Sequence, residues 1–273
     1  MSETTGGGTS GFVTTDDGCR LFYRIDGKAN APVLLLSNSL GTNMAMWDVQ
    51  LSRFAQDFRV IRYDARGHGA SDVDEKPYAF ARLGMDALAV LDALGIARAS
   101  FCGLSMGGMV GQWLGVHAGG RFDRLVLANT SAFMPPPEMW NARIATVRER
   151  GIGAVVDAVI ARWFRPGFCE RQPAQVSRIA AMLQTTSATG YAAACAAIRD
   201  MDQRAGLSGI GVPALVIVGT HDMATPPQDG EAIAASIPGA TVARLDAAHL
   251  SNIEQPEAFA TQALAFVNAG ETR

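Results

Sequence analysis

The apolar run from Ala99 to Leu104 breaks at Ser105, which sits between Gly103 and Gly107, and apolar residues resume at Met109, Val110, Trp113 and Leu114. This reads as a strand, a tight turn and a helix. A serine at G-x-S-x-G spacing on such a turn is what an exposed nucleophile needs, because the turn forces the serine backbone into a strained conformation and its neighbours must lack bulk. In a chain with 29 glycines the spacing alone is weak; the strand before it and the helix after it give it weight. A helix that starts at the serine presents free N–H groups and its positive dipole end to any negative charge that develops there. Ser105 is thus the candidate nucleophile and the Met106 amide a candidate oxyanion donor.

The surrounding sequence alternates in the same way. Pro32 to Leu36 is a continuous apolar run, as in a strand buried on both faces of a parallel sheet. Phe58 to Tyr63, Arg124 to Ala128, Pro213 to Val218 and Thr241 to Leu245 read as further strands. Leu83, Ala87, Val90, Leu91 and Leu94 recur at helical spacing with Gly95 as a stop. Units of this kind imply right-handed crossovers and an α/β fold with a doubly wound, mostly parallel sheet. At the start, Phe12 to Thr14 and Arg20 to Arg24 flank Asp16-Asp17-Gly18, a hairpin signal that predicts an antiparallel edge.

The rhythm fails after Ser131, where Pro135 to Pro137 act as a breaker and Glu138 to Arg204 are rich in Ala and Arg without a strand-like run. The expected organisation is a core of residues 11–133 and 205–273 and a helical cap of residues 134–204. The cap is inserted after the sixth strand, so that it emerges over the carboxyl ends of the strands. Residues 1–10, rich in Gly, Ser and Thr with nothing to bury, are expected to be a disordered tail.

A serine hydroxyl needs a general base within hydrogen-bond reach, and the chain has four histidines. His68 lies in a Gly-flanked loop before the elbow, and His117 lies in the elbow helix, pointing away from the strand ends. Both read as structural. His221 and His249 each follow a late strand. On a strand–elbow–helix scaffold the acid and then the histidine follow the serine in chain order, which selects Asp222 and His249. Asp246 is the rival acid, although it would have to bend back across one tight loop to reach His249. The second oxyanion donor is expected from the loop after the strand at 33–36, with the Leu40 amide as candidate. Asn38 and Ser39 in that loop are read either as substrate-binding residues or as plain turn chemistry.

A formal net charge of −3 offers no basic face for phosphate backbones or anionic lipid, so neither nucleic acid nor a membrane is an expected partner. No apolar run approaches the roughly 18 residues of a membrane span, and the polar start lacks the core of a signal peptide. A cytoplasmic protein is expected. Cys19, Cys102, Cys169 and Cys195 are scattered, without a C-x-x-C pair, and read as reduced packing thiols. No metal-ligand cluster or G-x-G-x-x-G turn calls for a metal or other cofactor.

With Ser105, Asp222 and His249 in place, the chain resembles the α/β-hydrolase fold family over nearly its whole length. Within that fold it is most similar to the 3-oxoadipate enol-lactonase group. The match is carried by Leu36 to Thr42 with Met46-Trp47, by Arg62 to Gly69, by Phe101 to Gly108 and by Arg162 to Phe164. Asn38-Ser39 is the most specific part, because most relatives carry His-Gly there. The resemblance implies hydrolysis of a five-membered enol lactone to 3-oxoadipate in bacterial degradation of aromatic acids, with no cofactor. The implied substrate is a small anionic lactone whose acetate side chain calls for a cation in an otherwise apolar pocket. Trp140 and Arg143, three apart, share one helix face, and Trp163 offers a second aromatic wall beside Arg162. Two alternatives share the triad or the fold. One is another hydrolase, either an esterase with perhydrolase activity or a carbon–carbon bond hydrolase of ring-cleavage products; the other is a non-catalytic ligand receptor.

Overall fold

The computed structural model describes residues 8–269. In chain order its elements are β1 (Thr9–Thr14), β2 (Arg20–Asp26), β3 (Val33–Ser37), α1 (Asp48–Asp57), β4 (Arg59–Tyr63), α2 (Phe80–Ala93), β5 (Ala99–Leu104), α3 (Met106–His117) and β6 (Phe122–Ala128). Five helices follow: α4 (Pro137–Arg150), α5 (Val156–Trp163), α6 (Pro166–Arg171), α7 (Pro173–Thr185) and α8 (Ala188–Asp200). The chain then returns to β7 (Ala214–Gly219), α9 (Pro227–Ser236), β8 (Thr241–Leu245), α10 (Ser251–Glu254) and α11 (Pro256–Asn268). Among the described residues, no helix is long and apolar enough to cross a membrane.

The strands form one sheet in the order β1-β2-β4-β3-β5-β6-β7-β8. The β1/β2 and β2/β4 pairs are antiparallel and every later pair is parallel. Every residue of β5 and β7 is buried, which follows from helices covering both faces of a parallel sheet. The sequence therefore shows apolar runs at these strands rather than alternation.

The expected tail requires a correction. Thr9 and Ser10 belong to β1 and pair with Ile25 and Arg24 of β2. A strand at a sheet edge is held by main-chain hydrogen bonds, which do not require apolar side chains, so the lack of anything to bury did not prevent pairing here. Residues 1–7 of that expectation lie outside the described residues.

The five helices between β6 and β7 pack partly on one another. The helix α8 runs buried from Gly190 to Ile198, with α4 against it, and its alanines let the two approach closely. Trp140, Ile144 and Val147 are the buried stripe of α4, spaced by three and four residues as one helical face requires. Of these helices, α4, α5 and α8 reach a pocket in which Trp140, Arg143, Trp163 and Tyr191 line the same cavity as Ser105 and His249.

Candidate active site

Ser105 follows β5 directly and caps the start of α3 with φ 58° and ψ −116°. Positive φ in a residue other than glycine costs of order 1–3 kcal/mol and persists only where the surroundings over-determine it. Here they do. The Ser105 amide donates to Ala128 O at 2.9 Å, and Ser105 O accepts from Thr130 Oγ1 at 2.8 Å and from the Met109 amide at 3.0 Å. The two flanking glycines are required by close approach. A Cβ at Gly103 would lie 2.2 Å from Gly107 O, and one at Gly107 would lie 2.2 Å from Ser37 O.

His249 lies beyond β8, and its Nδ1 is 2.8 Å from Asp222 Oδ2 and 3.1 Å from Oδ1. Asp222, at the turn after β7, also accepts from the Ala224 amide (2.8 Å), the Thr225 amide (2.9 Å), Thr225 Oγ1 (2.9 Å) and Asn129 Nδ2 (3.0 Å). Burial opposes ionisation of this carboxyl. The charge and hydrogen bond of His249, with the Thr225 amide and Asn129, outweigh it and hold Asp222 below the ordinary carboxylate range. With Nδ1 engaged by a carboxylate, Nδ1 carries the proton in neutral imidazole and Nε2 is left with a lone pair. Ser105 and His249 line the same pocket.

Asp246 and His221 pair with each other instead, at 2.9 Å, and both are exposed. Asp246 also meets Arg165 Nη1 at 2.8 Å, on the surface. His117 is exposed and its ring packs on Trp113, with centroids 4.7 Å apart.

The fourth histidine is an anchor. His68 is fully buried, and burial lowers its pKa to about 4, so it is neutral near pH 7. Its Nε2 accepts from the Gly41 amide at 2.9 Å, which leaves the proton on Nδ1 to donate to Arg66 O at 3.1 Å. This neutral imidazole pins the loop that carries Leu40. The other end of that loop is fixed to α3, where the Gly107 amide donates to Asn38 O at 3.0 Å. Leu40 lines the pocket, and neither its amide nor that of Met106 donates to another protein group among the described residues.

Of the residues considered for substrate binding, Ser39, Trp140, Arg143 and Trp163 line the pocket. Asn38 does not. Its Nδ2 donates to Tyr63 O at 2.8 Å and its Oδ1 accepts from Trp47 Nε1 at 2.9 Å, so both ends of the amide hold the loop to the body of the protein. Asn38 is therefore corrected to a scaffold residue. Ser39 Oγ is buried without a protein partner among the described residues.

On the opposite wall, the Arg143 guanidinium lies 4.9 Å from the centroid of the Trp140 ring, whose Nε1 donates to Met134 O at 2.9 Å. Trp163 stacks on the His249 imidazole at a centroid distance of 6.4 Å and 28° between planes.

Several residues of the site carry little or no signal of their role in the sequence. Asn129, with φ 44°, bridges Asp222 and Ala248 O; an Asn at a strand end tolerates that backbone and signals it faintly. Thr225 supports Asp222 and lies 3.3 Å from His249 Nδ1. Tyr191 and Arg162 also line the pocket. The Tyr191 hydroxyl is buried without a protein partner among the described residues, and burial raises its pKa. Arg162 is half-buried and donates to Met223 O at 2.9 Å; burial and the nearby Arg143 cation lower its pKa. Neither Arg143 nor Arg162 has a carboxylate partner among the described residues.

A strained serine at the carboxyl end of a central strand, with an Asp–His pair on later loops of a mostly parallel sheet, defines a hydrolase-type scaffold. The chain belongs to the alpha/beta hydrolase fold family, whose sequence profile matches residues 32–256. It is similar to 3-oxoadipate enol-lactonase 2 of Acinetobacter baylyi, with 44% identity over 88% of this chain and 90% of that protein. It is also similar to 3-oxoadipate enol-lactonase 1 of the same organism, at 40% over 90% of this chain and 92% of that one. Among solved structures, the enol-lactonase from Burkholderia xenovorans LB400 superposes with a TM-score of 0.93. The two are 43% identical, over 94% of this chain and 100% of the other.

Proposed function

We propose that this protein is a 3-oxoadipate enol-lactonase in which Ser105, His249 and Asp222 act as nucleophile, general base and orienting acid. The observation that carries the reading is the convergence on one pocket of the strained Ser105, the Asp222–His249 pair and two guanidinium groups that have no carboxylate partner among the described residues. The serine system supports acyl transfer, the guanidiniums support an anionic substrate, and the similarity to the Acinetobacter enzymes supports the particular lactone.

In the proposed reaction His249 Nε2 takes the proton of Ser105 Oγ as Oγ bonds to the lactone carbonyl. Asp222 keeps the imidazole in the productive tautomer and stabilises its cation without itself taking the proton. The tetrahedral oxyanion rests on the Leu40 and Met106 amides. Collapse breaks the ring C–O bond, and His249 returns its proton to the departing enolate oxygen, giving an enol still tethered through the acyl group. Water activated by His249 then hydrolyses the Ser105 ester, and tautomerisation yields the ketone. The net reaction adds one water.

Arg143 is the proposed ligand of the substrate's acetate group. Arg162 is a second cation in the same wall, and Trp140, Trp163 and Met109 supply the apolar surround. We place the enzyme in the cytoplasm, a reading supported by four unpaired thiols. The test is a substrate panel of the enol lactone, its methyl ester, an aryl acetate and a carbon–carbon ring-cleavage product. The reading requires kcat/KM to be highest for the anionic lactone and lost in Ser105→Ala. Preference for the aryl acetate would make the protein an esterase, and turnover of the ring-cleavage product above the lactone would make it a carbon–carbon hydrolase.

A further inference from the structure

Glu254, the last residue of α10, carries a fully buried side chain. A carboxylate taken out of water costs several kcal/mol unless hydrogen bonds satisfy it, and a partner for Arg165 alone would not require that cost. Asp246 already pairs with the Arg165 guanidinium from the surface. The bonds of Glu254 show a different commitment. Its Oε1 accepts from the Arg165 amide at 2.7 Å, while its Oε2 accepts from Arg165 Nε at 3.0 Å and from the Ala248 amide at 2.8 Å. Two of the three donors are main-chain groups, one from each of two segments far apart in sequence.

These two segments meet at the imidazole. Ala248 immediately precedes His249. Arg165 stands two residues after Trp163, whose ring stacks on His249. On the other side of His249 the Leu250 amide donates to Trp163 O at 3.2 Å. The amides that flank His249 thus both donate, one to Glu254 and the other to the segment that Glu254 holds. Asp222 fixes one ring nitrogen and the ring's tilt; it does not by itself fix how far the loop carries the ring over Ser105.

We propose that Glu254 is a positioning residue for the reaction, a clasp that sets the register between the Trp163–Arg165 segment and His249 and so keeps the imidazole in line with Ser105. The proposal rests on His249 being the general base. The side chain is not among the residues that line the pocket; it acts through the Ala248 amide and the Trp163 stack. Loss of the clasp displaces the imidazole by a fraction of an ångström to an ångström, a shift that costs up to about 100-fold in rate when reacting groups must be aligned.

The experiment compares Glu254→Gln, Glu254→Ala and Arg165→Ala in the full chain. Active sites are counted by exhaustive fluorophosphonate labelling, and kcat per labelled site is measured on the lactone and on a neutral aryl acetate. Glu254→Gln keeps the shape but turns a donor toward a donor. Its kcat per site should fall about 10- to 100-fold on both substrates, with KM for the aryl acetate changed less than about threefold. Glu254→Ala should fall comparably and regain activity with added formate, which can occupy the carboxylate position. Arg165→Ala leaves the Ala248 bond intact and should lose less, about three- to tenfold.

A purely structural Glu254 predicts a lower Tm with kcat per labelled site within twofold of the parent and no formate effect, and that result would overturn the proposal. If both Glu254 variants fail to fold, Arg165→Ala decides it by the same criterion, because that side chain is partly exposed. The underlying assignment is checked separately: full activity in His249→Ala would remove the base itself, whatever Glu254 does.

Discussion

On the sheet side of the pocket Asp222 accepts four hydrogen bonds besides those to His249, Asn38 spends both ends of its amide on the scaffold, and His68 uses both ring nitrogens. On the cap side Arg143 lies on an indole face without a carboxylate, Arg162 reaches only a carbonyl, and the Tyr191 hydroxyl has no protein partner among the described residues. The side chains that hold the Asp–His pair and the Leu40 loop are thus used in the opposite way from Arg143, Arg162 and Tyr191. Groups that must hold a reaction geometry are saturated by neighbours, since a partner left free would let them move. Groups that recognise a ligand keep their hydrogen-bonding capacity for it, and a guanidinium already neutralised by a carboxylate would offer an anion little. The proposed function therefore predicts that the sheet wall governs turnover of every substrate and the helical wall governs which substrate is preferred.

The largest test of that division is Ser105→Ala, expected to lower kcat by about 10⁴-fold or more on charged and neutral esters alike while leaving the far-ultraviolet spectrum unchanged. Activity within tenfold of the parent would remove the sheet wall from the chemistry. Next in size is Asp222→Asn, which should cost on the order of 10³- to 10⁴-fold because it disturbs the imidazole tautomer. The exposed Asp246→Asn should stay within about threefold, the range of a solvent-screened pair. The reverse ranking in steady-state assays would make Asp246 the acid.

A third test concerns stability and belongs to the sheet wall alone. Unfolded His68 titrates near 6.5 and folded His68 near 4. Below pH 6.5 the unfolded chain therefore takes up a proton that the native state refuses. Stability from this group is fully present above pH 6.5 and drains away as pH falls toward 4, by roughly 3 kcal/mol in all. Urea titrations between pH 7 and 4 should show a shallower decline in His68→Gln, a side chain that cannot protonate; an identical slope would mean that His68 does not cause the acid sensitivity.

The smallest expected effect sharpens the contrast from the cap side. Arg143→Ala should lower kcat/KM for the anionic lactone by roughly 1.5 to 3 kcal/mol and scarcely change it for the methyl ester or an aryl acetate. Equal losses on charged and neutral substrates would show that Arg143 shapes the cap, and Arg162 would then be the place to look for the carboxylate ligand.

Much of this molecule can be read before folding, because its decisive signals are local. Glycine at 103 and 107 around Ser105 marks an elbow, since both close contacts arise within a few residues or with the adjacent strand. Apolar runs at β3, β5 and β7 mark strands covered on both faces, and the loss of that rhythm after Ser131 marks where the sheet is interrupted after its sixth strand. Trp140 and Arg143 share a wall because three residues of helix put them there.

What tertiary structure decided are matters of long-range hydrogen bonding, to which periodicity is blind. Thr9 and Ser10 form a strand because β2 offers a partner edge, whatever their side chains. The composition of the Asn38-Ser39 loop cannot tell an amide that faces the pocket from one that Trp47 and Tyr63 consume. Asn129 reads as an ordinary polar residue until the fold carries it to Asp222, and Glu254 until the fold brings Arg165 to it. His68 becomes an anchor only once the Gly41 amide arrives at its Nε2. The chemistry a side chain can perform is written in its type, but what it does here depends on which donors and acceptors it meets, and those come from segments up to more than a hundred residues away.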